Sequence, residues 1–189
     1  MALVSSLLLL LIITIIAMSM FRSFGSQEKI AGNLREKDRA LHAATSVQQY
    51  AEWWLTQPAG SVAASAPVTC AVGAPLNANL GQSPQICTSA TSLLNLGINA
   101  TQQLPWPVGY SQYSPVGMAT PLQAGNPNNT DPAYAWTPGF YIVDLGLAAD
   151  AAGEAYQIDA FSSGATTGTV AVVESTYEVQ QGVVNRGGL

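Results

Sequence analysis

The 189-residue sequence predicts an α+β fold, in which one long N-terminal α-helix packs on a small antiparallel β-sheet, with a long disulfide-pinned loop region between them. Three observations carry that prediction. Met1 to Phe21 holds no charged side chain, and an apolar stripe at helical spacing continues from there toward Gln57. Alternating aromatic and β-branched runs return only after Gly139. Between them, the two cysteines of the chain, Cys70 and Cys87, close a segment rich in Gly, Pro, Asn and Ala.

The apolar segment comes first. At about 1.5 Å per residue, Met1 to Phe21 forms a helix of about 32 Å, enough to cross the hydrocarbon of a bilayer. A cleavable secretory signal fits less well, because Met1-Ala2-Leu3 runs straight into oil with no basic region ahead of it. A helix buried in a soluble core fails on size, since only about 130 residues remain to surround it. Residues 1–24 therefore read as a membrane-spanning half-helix that something outside the chain must cover.

Residues 25–57 read as the amphipathic half of the same helix. Ile30, Leu34, Leu41, Ala44, Val47, Ala51, Trp54 and Leu55 recur at three- and four-residue steps, which gathers them on one stripe for a sheet or neighbouring helices. Glu28, Arg35, Glu36, Asp38, Arg39 and Gln48 face outward on the same pattern. Gly25 and Ser26 predict a kink or frayed turn, since glycine inside a helix costs about 1 kcal/mol. Pro58, Ala59 and Gly60 should stop the rod after about 80 Å.

Residues 58–189 form the expected globular head, divided into a loop region 58–133 and an antiparallel sheet 134–180. The loop region collects most of the prolines, and its apolar residues follow no sustained period. Its polar run Asn126 to Asp131 reads as a turn rather than a calcium loop, because Asp131 is its only acid. Three strands are then predicted around 139–145, 156–160 and 171–179, an antiparallel meander with one apolar face toward the helix stripe.

Charge separates the two halves. Five of the six basic residues, Arg22, Lys29, Arg35, Lys37 and Arg39, precede position 40, and beyond it Arg186 stands against eight carboxylates. So acidic a head gives phosphate little to hold, and no direct nucleic-acid binding is expected. The basic cluster reads as the solvated side of a helix, with lipid headgroups as the alternative. It also sets up a conflict. Basic residues after the span would keep the head in the cytoplasm by the positive-inside rule, whereas a disulfide worth about 3 kcal/mol between Cys70 and Cys87 needs an oxidising periplasmic or extracellular setting.

Catalysis has little to stand on, and neither an enzyme nor a cofactor nor a metal site is expected. His42 is the sole histidine and sits four residues after Asp38, a spacing that fits an exposed helical pair. Asp144, Glu154, Asp159 and Glu174 are the candidate acids for glycosidic chemistry, but Asp159 and Glu174 fall among polar, outward-facing strand positions. No phosphate loop, zinc spacing or nucleophile elbow is present. Trp106, Tyr110, Tyr113 and Trp136 are candidate partner contacts, with packing inside the head as the equal alternative.

Two stretches resemble a known family. Ala2-Leu3-Val4 followed by leucines and isoleucines, then Gln27 to Arg35 with its Ala31-Gly32-Asn33-Leu34-Arg35 core, and Arg39 to Ala44, are similar to the N-terminal region of PilX-type minor pilins of the type IV pilus. Tyr156 to Ala160 with Val172 to Tyr177 resembles the closing strands of that family; the middle of the chain carries no resemblance. The resemblance implies a type IV pilin-like fold and a prepilin with a class III signal, cut before Met1, whose amine is then methylated. A basic leader removed at that cut would satisfy both orientation rules, leaving a single-pass protein of the bacterial inner membrane with a periplasmic head. It further implies that Leu3, Ser5, Leu8, Leu11, Thr14, Ile15 and Met18 pack in the core of an extracellular filament. The partners implied are other major and minor pilins, and a tip adhesin as a further candidate.

The chain also departs from the family. Most pilins carry a carboxylate at the fifth position, which pairs with a neighbour's N-terminal amine, and this chain has Ser5. That replacement suits a subunit near the tip. Major pilins tend to carry a helix-breaking proline near position 22, where this chain has Arg22. The resemblance therefore implies a tip or priming subunit that supports pilus assembly, and adhesion or motility. Its alternatives are a minor pseudopilin of type II secretion and, from another class, a membrane-tethered periplasmic binding or enzyme domain.

Overall fold

The computed structural model describes residues 2–70, 83–113 and 134–180, the side chains of Ala2, Arg22 and Ser23 excepted. The expected N-terminal processing at Met1 and the turn at 126–131 lie outside the described residues. Helix α1 runs from Ala2 to Leu55, α2 from Pro58 to Ala64, and five strands follow: β1 Cys87–Thr88, β2 Ser111–Gln112, β3 Gly139–Leu147, β4 Gly153–Ser163 and β5 Val170–Gln180. Contacts divide the chain into two packing units, Met1–Glu36 and Lys37–Leu189.

In the first unit, α1 is one unbroken helix through Gly25 and Ser26, so the expected frayed turn is absent from the hydrogen-bonded ladder. A single glycine costs a long helix too little to break it. Ile30 and Leu34 are exposed, Leu34 by 63%, although both were expected on the buried stripe.

In the second unit, burial of α1 begins at Ala40 and continues through Ala44, Val47, Ala51, Trp54 and Leu55. Leu41 stays exposed, which corrects its place on that stripe. The chain then turns rather than simply ending its helical course: Gln57 serves as N-cap and Pro58 opens α2. Proline's fixed φ and missing N–H are harmless in the first turn of a helix, so the residue expected to stop one helix starts another.

The three late strands form the predicted antiparallel meander, rich in the β-branched and aromatic residues that suit a half-buried pleat. Two short strands add to it. β2 pairs antiparallel with β3, and β1 pairs parallel with β3, so the five-stranded sheet is mixed rather than purely antiparallel. A bulge between Asp144 and Gly146 bends the end of β3. Gly146 takes φ of +87° there, a conformation open to glycine, and its N–H donates to Asp144 Oδ1 at 2.8 Å.

Both faces of the sheet are covered. On one, Phe140, Ile142, Tyr156, Ile158 and Ala160 pack against Val47, Ala51, Trp54 and Leu55 of α1. On the other, Tyr141, Val143 and Phe161 pack against Trp106, Val108, Tyr110 and Leu93 from the region expected to be loop. That region is irregular in backbone but builds its own core layer, and Cys70 and Cys87, joined by the expected disulfide with Cα atoms 5.5 Å apart, sit inside it. Val68 extends the tie, donating its N–H to Ile86 at 2.8 Å and accepting from Thr88 at 3.0 Å.

Candidate functional site

The side chains of α1 between Leu3 and Phe21 make the most unusual surface of the described residues. Leu8, Leu11 and Ile15 are each more than half exposed, Leu11 by 52% and Phe21 by 77%, and no residue of the most apolar stretch of the helix is buried within the chain. Isolated apolar residues on a surface need no explanation, but a continuous band of leucine and isoleucine far exceeds the patches soluble monomers expose. By length and composition this helix is able to cross a membrane.

Two hydroxyls within the band are satisfied by their own helix. Ser6 Oγ donates to Leu3 O at 3.0 Å and Thr14 Oγ1 to Leu11 O at 2.8 Å. Such back-bonding lets Ser6 and Thr14 lie in oil without an orphan donor. Leu3, Ser5, Leu8, Leu11, Thr14, Ile15 and Met18 all lie along this exposed helix. Ala31, Gly32, Asn33 and Arg35 follow on the same helix and are likewise exposed, so no packing inside the chain accounts for their pattern.

The four aromatic candidates divide. Trp106 is 2% exposed; its indole N–H donates to Ala100 O at 3.0 Å and its ring meets Phe161 edge to face at 4.8 Å. Tyr110 is also buried, 5.2 Å from Phe161. Both are core residues, in line with the packing alternative rather than with partner contact. Proline-rich sequence hid this, because a core layer without a backbone period leaves no pattern to read. Tyr113 and Trp136 remain half-buried: Tyr113 packs edge to face on Tyr50 at 5.3 Å, and the Trp136 backbone N–H donates to Ser163 Oγ at 3.0 Å. Burial raises the hydroxyl pKa of Tyr50 and Tyr113; Tyr113 adds to the rise at Tyr50, and Tyr134 to the rise at Tyr113.

The acidic candidates also divide. Glu174 is exposed, but Asp159 is only 1% exposed, which overturns its reading as a solvated strand position. The irregular layer that buries Trp106 also covers that face of β4. Gln157 Nε2 donates to Asp159 Oδ2 at 3.1 Å, while Tyr141 and Glu174 stand beside it in register on β3 and β5. Burial, with Glu174 adding to it, pushes the Asp159 carboxyl up to about 6. On the opposite face Tyr156 donates its hydroxyl to Glu154 Oε2 at 2.7 Å. His42 and Asp38 form an exposed pair at 3.6 Å, an i,i+4 contact on the helix surface. Among the described residues no three His, Cys, Asp or Glu side chains converge as a metal site.

One buried helix residue escaped the periodicity: Ala40, fully covered and one turn before Ala44. Its signal was the four-residue spacing of small side chains, which an apolar stripe of large residues obscured.

No curated protein and no solved structure matches this chain. The family model described as PilX N-terminal matches residues 1–52, the region that holds the exposed apolar band and the Ala31 to Arg35 segment. The N-terminal helix of this chain is thus similar to PilX N-terminal domains.

Proposed function

We propose that this chain is a minor pilin at or near the tip of a type IV pilus, a non-enzymatic subunit that supports pilus assembly and serves adhesion or motility. The observation that carries the reading is the bare apolar band from Leu3 to Phe21 in a helix whose sequence matches PilX N-terminal domains. Before assembly the band sits in the bacterial inner membrane as a single pass, with the head in the periplasm, where the Cys70–Cys87 disulfide is stable. In the filament it exchanges lipid for the helices of other major and minor pilins. Lipid and helix are similarly apolar, so this transfer is driven by shape and close packing rather than by the hydrophobic effect.

Ser5 supports the tip position. A subunit inside the filament has neighbours on both sides, and a buried amine left without its carboxylate costs several kcal/mol. A tip subunit lacks one neighbour, so a hydroxyl at position 5 suffices there.

A photo-crosslinking side chain at Leu8 of the full-length protein in its native host tests the assignment. Adducts with the helices of other pilins are expected in sheared surface fibres. Adducts confined to membrane lipid, or a Leu8 variant that never leaves the membrane fraction in a piliated cell, would contradict it.

A further inference from the structure

The outer edge of β5 is regular and long. All eleven residues from Val170 to Gln180 pair with β4 without a register shift, and β5 ends the sheet order. Among the described residues no strand pairs with its far side. About half of its backbone N–H and C=O groups point that way, because an antiparallel strand alternates its hydrogen-bonding direction. Natural edges are usually blunted by lysine, proline or a bulge, and β5 has none of these.

The side chains of β5 specify what fits. Tyr177 and Val179 pack toward α1, and Ser175 Oγ donates to Glu52 Oε1 at 3.1 Å, so that face is anchored. The other face presents Glu174, Thr176, Glu178 and Gln180, all exposed. An added strand places its alternate side chains directly opposite this row, where opposite charges stabilise and like charges repel. A second β5 in the centred antiparallel register would set Glu174 against Thr176 and Glu178 against Val172 of the other copy, leaving the two glutamates as diagonal neighbours, and a two-residue shift would set Glu174 directly against Glu178. Self-pairing is therefore disfavoured, and a segment with lysine or arginine at alternate positions is favoured.

We infer that the outer edge of β5 accepts an extended, basic segment of another pilus component by strand addition. The inference rests on the proposed pilin function for the identity of the partner, and on Glu174 and Glu178 for its charge.

The test uses the full-length protein in detergent micelles and three synthetic decapeptides: alternating valine and lysine, the same peptide with glutamate for lysine, and the lysine peptide with alternate backbone nitrogens methylated. Binding of the lysine peptide should slow amide exchange about tenfold within residues 170–180. The methylated peptide, which keeps the charge but cannot pair, should give no protection. Glu174→Lys with Glu178→Lys should weaken the lysine peptide at least tenfold and favour the glutamate peptide, with an unchanged circular dichroism spectrum. Equal binding of the methylated peptide would reduce the contact to charge adhesion and overturn the inference. So would protection outside 170–180, absence of binding, or β5 amides that are fully protected before any peptide is added. A null result with the protein still present in fibres would sink the strand-acceptor alone and leave the pilin reading standing.

Discussion

Asp159 shows how a single residue reports its surroundings. Its carboxyl is enclosed by Tyr141 and Glu174 on the flanking strands and steadied by Gln157, and burial raises its pKa from 3.8 to about 6. Between those values the folded state binds more protons than the unfolded one, so stability falls as pH rises. The stabilisation is fully present below about pH 3.8 and lost as pH passes through about 6. Thermal unfolding of the full chain should show a decline on the order of 3 kcal/mol across that window, and Asp159→Asn should flatten it. An unchanged slope in the variant would assign the titration elsewhere. Gly139 makes a second point. A methyl group there would lie 2.8 Å from ring atoms of both Phe161 and Tyr110, so Gly139→Ala should destabilise the head by about 1–3 kcal/mol in chemical denaturation. Neither feature was legible in sequence, because alternation along β4 sorts side chains between two faces without saying which face is covered.

At the scale of elements, α1 joins two kinds of surface in one helix. Trp54 is buried against the sheet, so Trp54→Ala should cost about 3–5 kcal/mol, whereas Leu34→Ala should stay within about 0.5 kcal/mol in the same unfolding measurement. The 3.6-residue period revealed both leucine and tryptophan as one stripe and predicted the helix itself, including its end near Gln57. It was silent on where packing begins, since Ile30, Leu34 and Leu41 have the same spacing as Ala44 and Val47. The meander was legible for the opposite reason: β-branched alternation in β4 and β5 is local. The layer on the second face was not, because Trp106, Val108 and Tyr110 reach the sheet through proline-rich backbone held by long-range contacts. The disulfide fixes that layer. Cys70→Ser with Cys87→Ser should lower stability by about 3 kcal/mol and loosen the packing of Trp106, read as a red shift in its fluorescence.

For the whole molecule, physical chemistry assigns different solvents to different parts. The head buries aromatic and aliphatic side chains on both faces of its sheet, while the apolar band of α1 buries nothing within the chain. A band of that kind is stable only in lipid or among other helices. Its character was plain from the uncharged run Met1 to Phe21, and the PilX N-terminal match over residues 1–52 is what motivates the proposal that other pilins receive it. The most direct measurement is the fraction of the protein recovered with sheared surface fibres, set against the fraction left in the inner membrane, in piliated cells and in cells that cannot assemble pili. Recovery in fibres alongside other pilins, lost when assembly is blocked, is the predicted result; a protein confined to the membrane in both strains would contradict the account.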